Sequence, residues 1–231
     1  MAAARADNSR PSEAIQNYAK AIYALEQRGE GTVTNNALAE RLQVTPASAS
    51  SMVKKLDELG LVRHVPYKGM KLTPSGRRVA LEVLRHHRLL ELYLAESLGV
   101  SWDRVHDEAE VLEHVLSEEL EELIAAKLGN PTRDPHGDPI PNAQLEIEEG
   151  KTECLAALEP GARGVFVRVS DSDPSMLRYL AELGITPGER FEIVDRQPFG
   201  GPLYARFGGD VHVLGGDLAA AMRVEVDTRK R

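Results

Sequence analysis

The chain has 231 residues, 42% hydrophobic and 28% charged, with a formal net charge of −8 and one cysteine, Cys154. That length exceeds a single average domain. No apolar run approaches the ~18 residues needed to span a bilayer, and one cysteine excludes an internal disulfide, which fits a reducing cytoplasm. The charge is unevenly placed: residues 1–88 carry 14 Lys+Arg against 8 Asp+Glu, whereas residues 89–231 carry 14 against 28. A basic first third on an acidic body points to a local phosphate-binding surface. No apolar stretch follows Arg5, so no signal peptide is expected, and residues 1–11 read as a loose tail.

Residues 12–28 place Ile15, Ala19, Ile22 and Leu25 at helical spacing, with Ser12 as the N-cap and Gly29 and Gly31 as the stop. Ala37, Leu38, Ala39 and Leu42 follow Asn35-Asn36 as a short second helix. Thr45-Pro46 starts a third, since Thr caps and Pro is tolerated at the first helical position. It runs to about Leu59, with Gly60 at the left-handed stop. Leu61–Val65 and Met70–Leu72 read as a hairpin joined by Pro66-Tyr67-Lys68-Gly69. Helix, helix, turn, helix, hairpin is the winged helix-turn-helix layout, whose third helix enters the major groove. Thr45, Ala47, Ser48, Ser50 and Ser51 offer hydroxyls and little bulk, while Lys54, Lys55, Arg63, His64, Lys68 and Lys71 supply charge. A winged helix can also be a plain interaction module; the net +6 of residues 1–88 favours DNA.

Thr73-Pro74 starts a long helix reaching about Leu98. Beyond Ser101-Trp102-Asp103, the segment His106–His114 sets His106, Glu110, Glu113 and His114 on one helical face, because residues three or four apart are neighbours. Two imidazoles and two carboxylates make a poor core and a good pocket for a divalent first-row metal. His87 and Glu91 repeat the i, i+4 spacing one helix upstream. The alternative is a solvated acidic face. Against it, Val105, Ala109, Leu112, Val115 and Leu116 interleave with the polar set, which implies burial along much of the helix. A new helix is expected from Ser117, its N-cap, to Leu128. Excess Leu and Val over residues 89–128 imply a dimer interface. His86 points about 100° from His87 and reads as solvent-facing; His64, His136 and His212 carry no special signal, and Trp102 reads as packing.

The prolines of residues 130–150 mark an ordered loop or linker. Strands are expected at 164–169, 190–194, 203–207 and 222–226, with a helix at Pro174–Leu183. Short strands with Gly-rich turns imply a small barrel.

In Tyr18…Ile22-Tyr23, Thr45-Pro46, His87-Arg88-Leu89…Glu91, Val105-His106…Glu110…Glu113-His114, Asn130-Pro131-Thr132, Asn142 and Leu180–Gly188, the chain resembles the diphtheria-toxin-repressor family over about residues 12–227. The resemblance implies a multi-domain, mainly α protein: a winged helix-turn-helix domain (1–73), a helical metal-binding and dimerisation domain (74–142), a linker (143–151) and an SH3-like, FeoA-type β-barrel domain (152–231). It implies a cytoplasmic homodimer that grips a palindromic DNA operator, with two metal sites per subunit. The primary site would use Glu110, Glu113, His114 and Asn17; the ancillary site His87, Glu91 and His106, with Asp171 and Asp173 from the third domain. Glu110 stands where iron-responsive members carry Cys, which favours Mn(II), with Fe(II) second. Asn17 replaces the acid of manganese-responsive members and ligates only through its carbonyl. Turn-residue roles compete for Asp171 and Asp173.

Other function classes fit less well. A zinc hydrolase of the H-x-x-E-H type would need His at Glu110, and the Glu-x-x-His pair of di-iron carboxylate bundles is absent. The alternatives are a winged-helix regulator answering mainly to Fe(II) or Zn(II), and one that senses something other than metal.

Overall fold

The computed structural model describes residues 10–28, 32–65 and 69–227. The expected helix stop at Gly29 and Gly31, the turn residue Lys68 and most of the tail lie outside them. The chain forms two compact units: residues up to Arg85 with Ala143–Glu146, and His86–Asn142 with Ile147–Arg231.

In the first unit, α1 (Glu13–Arg28), α2 (Asn35–Arg41) and α3 (Pro46–Glu58) precede the hairpin β1 (Val62–Val65) and β2 (Gly69–Leu72). α1 buries Ile15, Tyr18, Ala21 and Ile22 against Leu38 of α2 and Ala49, Val53 and Leu56 of α3. The Thr45 cap is the one expected, whereas α2 starts earlier than expected, with Asn35 and Asn36 inside it and Thr34 as its cap. Thr34 accepts from Ala37 N–H and Thr45 from Ser48 N–H, and Pro46 occupies the first turn of α3. β1 and β2 pair antiparallel from Val62↔Leu72 to Val65↔Gly69. The hairpin is tied down by paired Val33–Met70 backbone bonds of 2.9 and 2.8 Å and by Glu26 Oε1 accepting from Leu72 N–H at 2.7 Å. Gly69 has φ +116°, and a Cβ there would lie 2.1 Å from the Val33 carbonyl. Thr73 caps the long α4 (Pro74–Leu98), accepting from Gly76 N–H at 3.1 Å.

In the second unit, the later turns of α4 pack with α5 (Val105–Leu112) and α6 (Glu118–Lys127) around Leu89, Leu90, Leu92, Ala109, Leu116, Ile124, Ala125 and Ile140. α5 ends at Leu112, one residue before Glu113, so His114 lies in the following turn. Its expected burial holds on one side only. Val105, Ala109 and Leu116 are buried, but Val111, Leu112 and Val115 are 72%, 38% and 76% exposed. Val105, Ala109 and Leu112 share one stripe of α5, whereas Val111 lies about 120° round the axis from it, so the packing that buries Val105 and Ala109 leaves Val111 in water.

The C-terminal part is one six-stranded antiparallel sheet, ordered β3 (Glu153–Cys154), β8 (Met222–Val226), β4 (Arg163–Val169), β5 (Arg190–Arg196), β6 (Leu203–Phe207), β7 (Asp210–Leu214). Register shifts at Phe166/Arg168 and Ile193/Asp195 bend it, as bulges do. α7 (Pro174–Glu182) and α8 (Gly216–Ala221) cover a core that includes Phe166, Leu177, Leu180, Ile185, Ile193 and Leu214. β3, β7 and α8 are additions to the strands and helix expected from sequence. The loop 130–142 is fastened to β4: Val169 N–H donates to the His136 carbonyl at 3.0 Å. Gly137, at φ +87°, lies so close to the Val167 carbonyl that no Cβ would fit.

Candidate metal centre and nucleic-acid face

α4 and α5 bring the acid and imidazole groups together. His87 and Glu91 are one turn apart on α4 and 4% and 1% exposed. His106 and Glu110 hold the same spacing on α5. Four donor atoms converge: His87 Nε2 lies 3.0 Å from Glu91 Oε1 and 3.2 Å from His106 Nδ1. That nitrogen lies 3.3 Å from Glu91 Oε1 and 3.2 Å from Asp171 Oδ2. Adjacent ligands of an ion with bonds of ~2.1 Å stand roughly 3 Å apart in an octahedron, so these separations match a metal's inner sphere. Buried nitrogens pressed against each other and against two carboxylates are the arrangement a cation would relieve.

The second group is His87, Glu110 and Glu113. Glu113 is fully buried. Its Oε2 is 2.5 Å from His87 Nδ1, and its Oε1 is 3.4 Å from His114 Nε2. Glu110 Oε1 is 3.8 Å from His87 Nδ1 and 3.9 Å from His106 Nε2, so it borders both groups. His87 faces the two groups with different nitrogens. A neutral imidazole ligates through one, so an ion held by Nε2 leaves Nδ1–H to donate to Glu113. This is the carboxylate–histidine–metal arrangement that fixes ring and tautomer.

The electrostatics reflect this crowding. Burial alone would raise the Glu91 carboxyl, but the charge of His87 and hydrogen bonds from both imidazoles hold it far below the usual carboxylate range. A hydrogen bond to Asp171, then one to Glu91, pushes His106 up to about 10. Burial opposes ionisation of Asp171, and the bond to His106 outweighs it, leaving Asp171 at about 2.

The expected residues separate cleanly. His87, Glu91, His106 and Asp171 form one cluster, and Glu110 and Glu113 join His87 in the other. His114 is near-buried beside Glu113. Asp173 does not join: it caps α7, its Oδ1 accepting from Ser175 N–H at 2.8 Å and from the Ser175 hydroxyl at 2.6 Å. Asn17, in the first unit, has a buried Oδ1 that accepts no hydrogen bond among the described residues, as an oxygen kept for another partner would. His86 is not solvent-facing. It is 2% exposed, because the far side of α4 packs on α6.

Sequence reasoning missed Asp134 and His136, which with Glu91 make a third, wholly buried group. His136 Nε2 donates to the Trp102 carbonyl at 2.7 Å, and Nδ1 faces Glu91 Oε2 at 3.8 Å. Trp102 stacks on its ring at 5.9 Å. Asp134 accepts from the backbone N–H groups of His136 and Asp138 and pairs with Arg88 at 3.6 Å. Arg88 also pairs with Asp138 and donates to the Pro139 carbonyl. Burial, then Glu91 and Asp138, raises the Asp134 carboxyl well above its ordinary value. The one signal available was an Asp-x-His-x-Asp spacing inside a proline-rich loop.

On the first unit, Thr45, Ala47, Ser48, Ser50, Ser51, Lys54, Arg63 and Lys71 are all exposed. Ser50 accepts from Asn35 Nδ2 at 3.0 Å, and Thr45 Oγ1 lies 2.9 Å from Ser48 Oγ. Ala47, Ser51 and Lys54 share a face of α3 at helical spacing. Arg63 and Lys71 stand directly opposite each other across the hairpin, a like-charge pair that costs stability without an anion.

Three family models match in series: the iron-dependent repressor N-terminal DNA-binding domain over residues 11–70, the iron-dependent repressor metal-binding and dimerisation domain over 73–142, and the FeoA domain over 154–226. The diphtheria toxin repressor of Corynebacterium efficiens is 33% identical over 92% of this chain and 95% of its own length. The chain belongs to the diphtheria-toxin-repressor family of metal-dependent transcriptional repressors. The iron-dependent repressor IdeR of Mycobacterium leprae is 32% identical, over 92% of this chain and 97% of its own. A solved manganese-dependent transcriptional repressor in complex with manganese is 43% identical, with a TM-score of 0.85 over 92% of this chain and 99% of that one. A family member of this kind regulates transcription and is not an enzyme.

Proposed function

We propose that this chain is a cytoplasmic, Mn(II)-activated repressor that binds a palindromic operator as a homodimer and carries two metal sites per subunit. The observation that carries the metal assignment is the donor set. His87, Glu91, His106, Glu110, Glu113 and Asp171 offer only oxygen and nitrogen, mostly carboxylate. Such ligands suit Mn(II) and leave softer ions without the thiolate they favour. The solved relative at 43% identity is described as manganese-dependent, while the IdeR relatives at 31–32% are described as iron-dependent, so Fe(II) is the second candidate. One site takes His87, Glu91, His106 and Asp171; the other takes Glu110, Glu113 and His114. Bound metal supplies positive charge to a buried carboxylate cluster and favours the DNA-binding conformation over others by mass action.

On the DNA side, Thr45, Ala47, Ser48, Ser50 and Ser51 approach the duplex, and Lys54, Arg63, Lys68 and Lys71 neutralise phosphates. The test is retardation of a palindromic promoter probe titrated with Mn(II), Fe(II) and Zn(II). Mn(II) should activate fully and Fe(II) nearly as well. Glu113→Ala combined with His114→Ala should abolish metal-dependent retardation while circular dichroism stays unchanged. Activation by Zn(II) alone, with none at millimolar Mn(II), would remove the manganese assignment and leave a metalloregulator of another ion.

A further inference from the structure

His86 is buried beside the centre yet belongs to none of the three groups. It follows its own rules: adjacent to His87 on α4, it projects about 100° round the helix axis and meets different partners. Its Nδ1 donates to the backbone carbonyl of Glu113 at 3.1 Å. Its Nε2 lies 2.8 Å from Glu121 Oε2 on α6, with side-chain exposures of 3% and 13%. Glu113 is therefore gripped twice from α4, at its carboxylate by His87 and at its main chain by His86. The main-chain grip falls where α5 stops, at its C-cap residue. The other end of the same ring lies against Glu121 of α6, the helix that presents Leu120 and Leu123 to solvent at 48% and 61% exposure.

We propose that His86 is a positioning residue that locks the Glu113 carboxylate in its metal-binding orientation by joining the end of α5 to Glu121 of α6. This rests on the metal-site reading above. Residues behind a metal ligand set its orientation, and losing one typically costs 10–100-fold in metal affinity. His86 acts on one ligand's backbone and, through Glu121, on the helix beside the exposed leucines. Metal occupancy and the position of α6 are thereby linked by a single side chain.

The test uses the full-length protein and Mn(II) alone, titrated calorimetrically, beside thermal unfolding of the metal-free chain. His86→Leu keeps comparable bulk and removes both nitrogens; His86→Asn keeps a donor for the Glu113 carbonyl without reaching Glu121; Glu121→Gln leaves His86 in place and weakens its anchor. His86→Leu should weaken Mn(II) binding about 10–100-fold, with Asn and Gln variants between it and wild type. Adding Glu121→Gln to His86→Leu should weaken binding no further, because both act through one contact. A purely packing role would instead lower metal-free thermal stability and leave Mn(II) affinity within twofold of wild type, and that result overturns the inference. Independent, additive losses in the double variant overturn it as well. Should His86→Leu fail to fold, the Asn and Gln variants carry the same comparison. A wild-type chain that takes up no Mn(II) would overturn the metal-site reading itself, and this inference with it, which the unmutated titration distinguishes.

Discussion

His106 shows how one residue's surroundings set a measurable pH response. In the metal-free chain, Asp171 and then Glu91 raise its pKa from 6.5 to about 10, while His106 holds Asp171 at about 2 against an ordinary 3.8. The raised imidazole stabilises the fold fully below 6.5 and loses that contribution as pH climbs through about 10. The lowered carboxyl contributes fully above 3.8 and loses it as pH falls through about 2. The pair's stabilisation is thus complete from about pH 4 to 6.5 and declines on both sides. Both side chains are about a third exposed, so added salt should shrink the effect. His106→Leu should flatten the alkaline limb of metal-free unfolding temperature against pH; an unchanged limb would deny the pairing. Metal bound by His106 would reverse the preference, because an imidazolium cannot ligate. Uptake at this site should release one proton from His106, and affinity should rise about tenfold per pH unit below about 10. Calorimetry in buffers of different ionisation enthalpy reads that proton, and a buffer-independent heat near neutrality would count against His106 as a ligand. His87, Glu91, His106 and Glu110 were legible because helical spacing alone puts each pair on one face of its helix. Asp134 and His136 were not, since a loop has no period to read, and His86 was misplaced because one turn of helix cannot say which neighbour packs behind it.

The helix caps carry the element scale. Thr45-Pro46 and Thr73-Pro74 marked α3 and α4 to the residue, since a cap is chemistry between near neighbours. β7 and α8 escaped. β7 sends Val211 and Val213 outward, 43% and 48% exposed, and α8 has only six residues, so neither has enough pattern to announce itself. Two predictions belong here. A Cβ on Gly76 would sit 1.9 Å from the Leu61 carbonyl, where α4 leaves the hairpin. Gly76→Ala should therefore destabilise the protein by about 1–3 kcal/mol or more despite its better helix propensity, read by chemical denaturation; a gain in stability would mean that the Leu61–Gly76 approach is not native. In the hairpin, the exposed Arg63↔Lys71 pair is a like-charge pair that a phosphate between them would relieve. Lys71→Ala should leave folding unchanged or slightly improved, weaken binding to all DNA sequences alike, and reduce the log–log salt slope by about 1. Retention of the full slope would take Lys71 out of the phosphate contacts.

At the scale of the molecule, the exposed side chains on α5, α6 and the turn between them ask for a partner. Val111, Val115, Leu120 and Leu123 are 72%, 76%, 48% and 61% exposed within residues 73–142, which match a metal-binding and dimerisation domain. The sequence located this surface by its excess of leucine and valine but assigned part of it to the interior, because composition reports that apolar area must be covered and not by which copy. A second copy related by a two-fold axis would cover the same patch on both subunits. It would also supply the second winged helix that a palindrome requires, with half-sites about 34–36 Å apart. Val115→Glu and Leu123→Glu place a carboxylate on side chains already largely in water, so the folded subunit loses little. Desolvating that charge against its own symmetry mate, by contrast, should prevent association. Sedimentation at micromolar concentration with Mn(II) present should show a monomer for the double variant and a dimer for wild type. Metal-free unfolding should shift by no more than about 0.5 kcal/mol per site, as for an exposed surface change. Affinity for the full palindrome should then fall to that for a single half-site, while salt-dependent, non-specific DNA binding persists through the unaltered basic face. A double variant that stays dimeric would move the interface off α5 and α6; one that turns monomeric yet holds the palindrome at wild-type affinity would show that the two winged helices are not delivered as a pair.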